Sequence, residues 1–390
     1  MGTETGWMID RPLAEVARMA VRLGFTAFGG PAAHIAMLRD EVVTRRGWFD
    51  DRHFADLIAI TNLIPGPNST EMVMHAGSER AGWRGLVVAG AGFIVPASLI
   101  TLAFAWAYVR WGTVPEVGSI LTGIKPVIIA IVAQAVVGLG RSSLTRSLSR
   151  VVALAVVLLG LAGLDEIVLL VGGALAGLAV HWLPRAGVRG VHLSLAGWGF
   201  PLGGGLAPLL AVVATTEATT WRLLLTFLKI GSVLYGSGYV LIAFLERDLV
   251  TRNGWVTEAQ LLDAVAVGQV TPGPVFTTAT FLGYLIGGWT GAIVATAGIF
   301  LPAFALVALT NPILPRLRRS AILAAALDGV TAASLGLMAV ALFQLAGAAV
   351  TGVPTAALAV LAAVILVRTR LNSGLLIAGG ALAGVVAGAF

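Results

Sequence analysis

Val43-Thr44-Arg45-Arg46-Gly47-Trp48 recurs 207 residues later as Val250-Thr251-Arg252-Asn253-Gly254-Trp255, and Pro65-Gly66-Pro67 recurs at the same offset as Pro272-Gly273-Pro274. Between residues 24 and 67, about fifteen of some forty-four positions are identical at that spacing, among them Gly24/Gly231, Gly29/Gly236 and Asp56/Asp263. After a one-residue slip, Gly82-Trp83-Arg84-Gly85 pairs with Gly288-Trp289-Thr290-Gly291, and Pro96 with Pro302. The chain is therefore internally duplicated. The expected units are a first repeat at residues 1–150, linker helices at 151–219 and a second repeat at 220–390.

Composition says what medium the repeats live in. Of 390 residues, 58% are hydrophobic and only 11% charged, with a mean hydropathy of +0.93. So little charge cannot cover a soluble surface, and the 49 glycines suit helices that pack closely in lipid. The expected fold class is all-α: a polytopic membrane protein of about ten to thirteen transmembrane or re-entrant helices in two repeats. Apolar runs fall at residues 83–108 and 117–139, and others begin at Val151, Ile167, Phe200, Trp221, Leu261, Gly288, Ile322, Val353 and Ser373. Arg141, Arg146 and Arg150 follow the span at 117–139, whereas Arg316, Arg318 and Arg319 precede its counterpart from Ile322. If arginines face the cytoplasm, equivalent spans run in opposite directions, so the repeats are inverted and the stretch from Phe200 supplies one reversing crossing. Arg185, Arg189, Arg368 and Arg370 then also lie inside, and the N-terminus is expected in the cytoplasm. Trp48 and Trp255 read as headgroup-level anchors.

Several classes of chemistry are excluded or disfavoured. The absence of cysteine removes disulfides and thiolate sites, and the five histidines show no metal-ligand spacing, so no metal or cofactor is expected. The first ten residues lack a basic stretch followed by an apolar core, so no cleavable signal peptide is expected. A net charge of +6 sits in short arginine groups between apolar runs, which fits orientation at a lipid surface rather than binding of nucleic acid.

The residues that could carry function cluster at breaks. Gly24-Phe25-Thr26-Ala27-Phe28-Gly29-Gly30-Pro31, with His34 soon after, and Gly231-Ser232-Val233-Leu234-Tyr235-Gly236-Ser237-Gly238-Tyr239 are poor continuous helices. The second pair of breaks is Asn62-Leu63-Ile64-Pro65-Gly66-Pro67-Asn68-Ser69-Thr70 and Gln269-Val270-Thr271-Pro272-Gly273-Pro274-Val275-Phe276-Thr277-Thr278. Proline removes a donor and bars the preceding turn, so a helix stops and restarts there. A restarting helix presents free N–H groups, a site for an oxyanion, to which Ser69, Thr70, Thr277 and Thr278 add hydroxyls. The plainer alternative is a kink with no ligand.

The chain has two lysines, Lys125 and Lys229, against about twenty-three arginines, and both lysines lie in apolar stretches, where a charge is costly. Lys229 aligns with Arg22, so each repeat carries a cation two residues before its glycine-rich break; two such cations would suit a dianion, or they snorkel to the interface. Lys125 aligns with Thr331 and has no basic counterpart. Among the acids, Asp56, Glu71 and Asp263 are candidates for carrying a proton, with helix capping or ion pairing as the alternative. Asp328 is a further acid near an apolar segment.

Phe28-Gly29-Gly30-Pro31-Ala32-Ala33-His34, Pro65-Gly66-Pro67-Asn68-Ser69-Thr70-Glu71, Lys229-Ile230-Gly231 with Leu234-Tyr235-Gly236-Ser237-Gly238-Tyr239, and Val267-Gly268-Gln269-Val270-Thr271-Pro272-Gly273-Pro274-Val275-Phe276-Thr277-Thr278-Ala279-Thr280 resemble the chromate transporter family, in its two-domain form. The resemblance covers both halves and implies chromate efflux across the cytoplasmic membrane, with sulfate as a competitor. One departure is that the family's best-known branch continues its first PGP with Glu-Ala-Gln-Gln, where this chain has Asn68-Ser69-Thr70-Glu71. Moving a dianion across 100 mV involves about 4.6 kcal/mol, so with the inside negative, exit is the simpler direction, alone or in exchange for protons. The partners expected are a chromate-like or sulfate-like oxyanion and membrane lipid, with a homodimer left open. The rivals are an exporter of amino acids or other small organic anions, and an intramembrane enzyme. No HExxH, GxSxG or DDxxD pattern supports the enzyme.

Overall fold

A computed structural model of the chain describes residues 11–28, 30–62, 64–112, 115–182, 216–235, 239–310, 321–369, 371 and 373–388. The expected crossing from Phe200 and the arginines at 185, 189, 316, 318, 319 and 370 lie outside the described residues. Those described are helical, without strands. The first half holds α1 (Arg11–Thr26), α2 (Gly30–Arg39), α3 (Asp51–Thr61), α4 (Asn68–Trp111), α5 (Pro115–Ser143), α6 (Ser147–Leu161) and α7 (Glu166–Trp182). The second holds α8 (Thr216–Val233), α9 (Val240–Leu245), α10 (Glu258–Val270), α11 (Thr278–Thr310), α12 (Ala321–Ala349), α13 (Val353–Arg368) and α14 (Ser373–Gly388). Each helix of the first half has its counterpart seven helices on. Even the π-helical turns at Asp40–Arg45 and Glu246–Arg252 coincide. Residues 151–182, read from sequence as linker, form most of α6 and α7, the counterparts of α13 and α14. The first repeat therefore runs on to residue 182.

Four helices, α4, α5, α11 and α12, are long and apolar enough to cross a membrane by themselves. The run from Leu261, expected as a span, instead belongs to α10, which ends at Val270 because Pro272 follows and cannot donate to the next turn. α4 is itself two arms. At Gly82 (φ 63°, ψ −153°) the chain enters a region open to glycine and reverses. The arms then touch backbone to backbone, so that a Cβ on Gly85 would lie 2.0 Å from the Gly77 carbonyl oxygen. α11 repeats the reversal at Gly287-Gly288.

Side-chain contacts fix which ends share a face. His53, at the start of α3, lies 2.6 Å from Glu79 at the end of the first arm of α4. Arg80 binds Glu15, at the start of α1, at 2.7 Å and covers the Trp48 ring, as Arg46 does. The pairs α1–α2 and α3 with the first arm of α4 are therefore hairpins that enter from one face and turn inside the protein, at the glycine-rich break and at PGP. The second arm of α4 then climbs about 36 Å between Arg84 and Tyr108. At that far end the Tyr108 hydroxyl donates to Asp263, 2.9 Å away, in the N-terminal half of α10. On the return, Arg146 beyond α5 meets Asp328 near the start of α12 at 2.8 Å. The second half thus enters from the face opposite to the one where the first half enters, and the repeats are inverted.

The halves also exchange their last two helices: α6 and α7 pack along α12, and α13 and α14 along α5. Small residues permit the approach. A Cβ on Gly177 would lie 2.0 Å from the Ala325 carbonyl oxygen, and one on its counterpart Gly384 would lie 2.1 Å from that of Ser119.

Because the chain has no cysteine, inversion is directly measurable. Single cysteines at the equivalent positions Arg52→Cys and Ala259→Cys should react with a membrane-impermeant maleimide from opposite sides of sealed vesicles. Labelling of both from one side would refute the inverted arrangement.

Candidate functional site

Pro65 and Pro67 stop α3 and restart the chain as α4, whose N-cap, Pro67, is extended and offers no side-chain hydrogen bond. Between them Gly66 adopts a φ of 140°. Such backbone has no water to bond with inside a membrane and must be satisfied by protein. The Gly66 N–H donates to the Leu234 carbonyl in the other half's glycine-rich break at 2.8 Å, and the Gly273 N–H donates to the Ala27 carbonyl, also at 2.8 Å. These bonds are related by the repeat: each PGP loop is latched to the opposite break, so all four breaks meet at one place.

Beside that junction lies a cavity of about 640 Å³. Its walls include Pro31 and Ile35, then Asn62, Pro67, Asn68 and Ser69, with Tyr235, Tyr239, Pro274, Val275 and Phe276 from the second half. Ala135, Gly138, Leu139 and Ser143 of α5 and Thr331 of α12 complete it. Ser143 belongs to the last turn of α5, so the cavity reaches towards the face that carries Arg46, Trp48 and Arg80. Asn68 donates to the Asn62 side chain at 2.7 Å, the Tyr235 hydroxyl donates to the Asn62 carbonyl, and His34 contacts the Ser69 hydroxyl at 3.4 Å. The uncapped first turn of α4 adds backbone N–H groups beside Asn68 and Ser69. The two PGP loops differ chemically: at the positions of Asn68 and Ser69 the second half has Val275 and Phe276. Amides, hydroxyls and a helix start on one side against an apolar wall on the other can hold a small, acceptor-rich solute.

Set beside known proteins, this architecture has a family. The sequence profile described as Chromate transporter matches residues 14–178 and again 221–385. The chain belongs to the chromate transporter family. It is a multi-pass membrane transporter rather than an enzyme. Similar curated proteins include the "Chromate transport protein" of Cupriavidus metallidurans, 31% identical over 381 residues, covering 96% of this chain and 93% of that one. That of Pseudomonas aeruginosa is 33% identical and covers 86% of this chain and 81% of the relative. A "Probable chromate transport protein" of Synechococcus elongatus is 28% identical, covering 96% and 95%. No solved structure matches it.

The structure sorts the candidate residues of this family member. Pro31, Pro67, Asn68, Ser69, Tyr235 and Pro274 line the cavity, with His34 bonded to Ser69. Gly66 and Gly273 form the latches, Pro65 and Pro272 shape the same loops, and a Cβ on Gly30 would lie 4.0 Å from the Tyr239 hydroxyl. The Thr277 and Thr278 hydroxyls donate to the Pro274 and Val275 carbonyls, so they close the turn instead of facing a ligand. Thr70 and Gln269 are buried beside the loops and do not line the cavity. Gly29, Gly236, Ser237 and the Asp56 side chain lie outside the described residues.

The candidate cations lie elsewhere. No lysine or arginine is among the described residues lining the cavity. Arg22 pairs with Glu41 at 3.3 Å in a separate surface hollow shared with Thr26, Asp40 and Arg45. Lys229 pairs with Glu166 at 2.5 Å and Asp248 at 2.8 Å. Lys125 pairs with Asp263 at 3.3 Å, and Asp328 with Arg146. Each of these charges has found an opposite charge, because an unpaired one is expensive in an apolar stretch. Sequence reasoning passed over Asn62 and Tyr239, although both lie in the quoted breaks. It had no signal for Ser143, Gly138 or Thr331, which come from helices remote in the chain.

The Lys229 cluster exists once. Glu166, on the exchanged α7, also takes Arg247 at 3.5 Å, and Arg252 binds the neighbouring Asp165. At the counterpart positions of Asp165 and Glu166 the other half has Asn372 and Ser373. Burial works to raise Asp165, but the hydrogen bonds from Arg252 and the Ile167 N–H hold it below the usual carboxylate range. Its contribution is therefore present at neutral pH and lost on acidification through its folded value. Lys229→Ala removes the cation shared by two buried carboxylates, leaving Glu166 with Arg247 at 3.5 Å and Asp248 with Arg252 at 3.0 Å, and should cost roughly 1.5–3 kcal/mol. Arg22→Ala should cost under about 1 kcal/mol, since Arg22 is 54% exposed and Glu41 keeps Arg46 at 2.8 Å. Thermal denaturation in detergent checks the order; equal losses would refute it.

Proposed function

We propose that the chain exports chromate, or a similar tetrahedral oxyanion such as sulfate, from the cytoplasm across the inner membrane, binding it in the cavity beside the four helix breaks. The observation that carries this reading is the convergence, on one cavity wall, of the uncapped start of α4 with the Asn68 and Ser69 side chains and the tyrosines of the opposite half. A helix start and hydroxyl or amide donors are what an oxyanion needs, and the curated relatives are chromate transport proteins. The anion is held by neutral dipoles. The candidate cations instead brace the scaffold around them.

Direction follows from charge. The face towards which the cavity extends carries Arg39, Arg45, Arg46, Arg80, Arg84, Arg141, Arg146 and Arg150, whereas Arg110, Arg222, Arg247 and Arg252 lie towards the other. The positive-inside rule makes the richer face cytoplasmic, which puts the start of α1 there too and loads the cavity from the cytoplasm. An inside-negative potential then drives a dianion outward, with about 4.6 kcal/mol per 100 mV.

Flux in proteoliposomes of the purified protein tests this. Chromate should move towards the positive side at a set potential, and Asn68→Ala should weaken its binding roughly tenfold to a hundredfold, the worth of one hydrogen bond to a charged group. Transport of amino acids or organic anions with no chromate or sulfate movement would replace this reading with the exporter alternative.

A further inference from the structure

Among the described residues, Glu71 stands apart from the other acids of the core. It lies in the first turn of α4, it is 0% exposed, and neither carboxyl oxygen has a hydrogen-bond partner among the described residues. It is tucked against the PGP loop: a Cβ on Gly66 would lie 2.1 Å from Glu71 Oε1, with Ala303 of α11 beyond. The loop's other side, at Pro67, Asn68 and Ser69, is cavity wall, and Glu71 lies within electrostatic reach of the Tyr235 hydroxyl in that wall. Its repeat counterpart is Thr278, whose hydroxyl is satisfied by the Val275 carbonyl at 2.8 Å. The feature is therefore not required by the loop and occurs on one side only.

The surrounding charges do not neutralise it. On α1, Glu15 and Arg22 are paired with Arg80 and Glu41, and Arg18 follows Glu15 on that helix. On α3, His53 is taken by Glu79, and the same helix carries Asp56. On α10, Asp263 is held by Lys125 and Tyr108. His34 of α2 contacts Ser69, His75 stands one turn along α4, and Asp328 of α12 is held by Arg146 at 2.8 Å. An ionised Glu71 would be an uncompensated buried charge next to a cavity that, on the reading above, receives an anion and offers it no cation.

We propose that Glu71 is a proton-binding site linked to oxyanion occupancy, the loaded protein carrying the neutral carboxyl and releasing the proton when the anion leaves. The sign is set by repulsion: two negative groups on either side of one loop disfavour each other, so each anion bound favours a proton on Glu71, and the proton favours the anion by the same factor. A dianion then travels with one proton, as a cargo of one net negative charge. This rests on the oxyanion reading of the cavity.

Calorimetric titration of the purified full-length protein with chromate, in buffers of differing protonation enthalpy, counts protons taken up per anion. The difference between wild type and Glu71→Gln removes the proton chemistry of chromate itself. At pH values high enough to ionise Glu71 in the anion-free protein, wild type should take up as much as about one proton more per anion than Glu71→Gln, and there its affinity should fall by up to about tenfold per pH unit relative to the variant. Glu71→Thr, which installs the residue type of the other repeat, should behave like Glu71→Gln and serves if the glutamine variant does not fold. Equal proton counts and equal pH slopes in wild type and a folded variant would overturn the linkage while leaving the cavity reading intact. Loss of binding in a folded variant would also overturn it, since the neutral side chain is the form proposed to bind. Absence of binding in wild type would remove the cavity reading and the linkage with it.

Discussion

Breaking a helix inside a bilayer frees N–H and C=O groups that lipid cannot satisfy, and this protein breaks its chain four times. The reciprocal bonds from Gly66 to Leu234 and from Gly273 to Ala27 answer that constraint. Each half supplies the acceptor that the other half's PGP loop lacks, so neither set of hairpins is complete alone. The cavity forms where the four breaks are forced together, and its polar wall is the part of α4 that the loop leaves uncapped. The helix exchange, with α7 on α12 and α14 on α5, joins the halves again at the periphery.

Symmetry of the frame makes its departures informative. The latches, the glycine reversals and the helix exchange are all doubled, so they are scaffold. Glu71 against Thr278, Asn68 and Ser69 against Val275 and Phe276, and Glu166 against Ser373 are single. A duplicated transporter whose halves differ at the site and in one ion cluster can hold a ligand asymmetrically while keeping a nearly symmetric backbone. The Lys229 cluster ties α7 of one half to the π-helical turn of the other through buried charges. The equivalent place around Glu41 relies on arginines of its own half, Arg22, Arg45 and Arg46.

What the sequence determined was whatever is encoded locally or by repetition. Composition set the medium, the 207-residue offset set the duplication, Pro65-Gly66-Pro67 and its copy set where helices stop, and the arginine pattern set the inversion that the Tyr108–Asp263 and Arg146–Asp328 contacts then bear out. These follow from one-dimensional facts: a proline bars its own hydrogen bond wherever it stands, and an arginine at a span end biases that end. Tertiary structure decided what depends on which side chains become neighbours. Arg22, Lys125 and Lys229 look like ligands in the sequence because a charge in an apolar run is costly, yet that cost is met equally well by a carboxylate from a distant helix, and Asp248, Glu166 and Asp263 provide it. For the same reason Glu71 and Asp263 read alike in one dimension. Only packing shows that Asp263 has Lys125 and Tyr108 for partners while Glu71 faces glycine and alanine, since the energy of a buried charge is set by the atoms around it and not by its place in the chain.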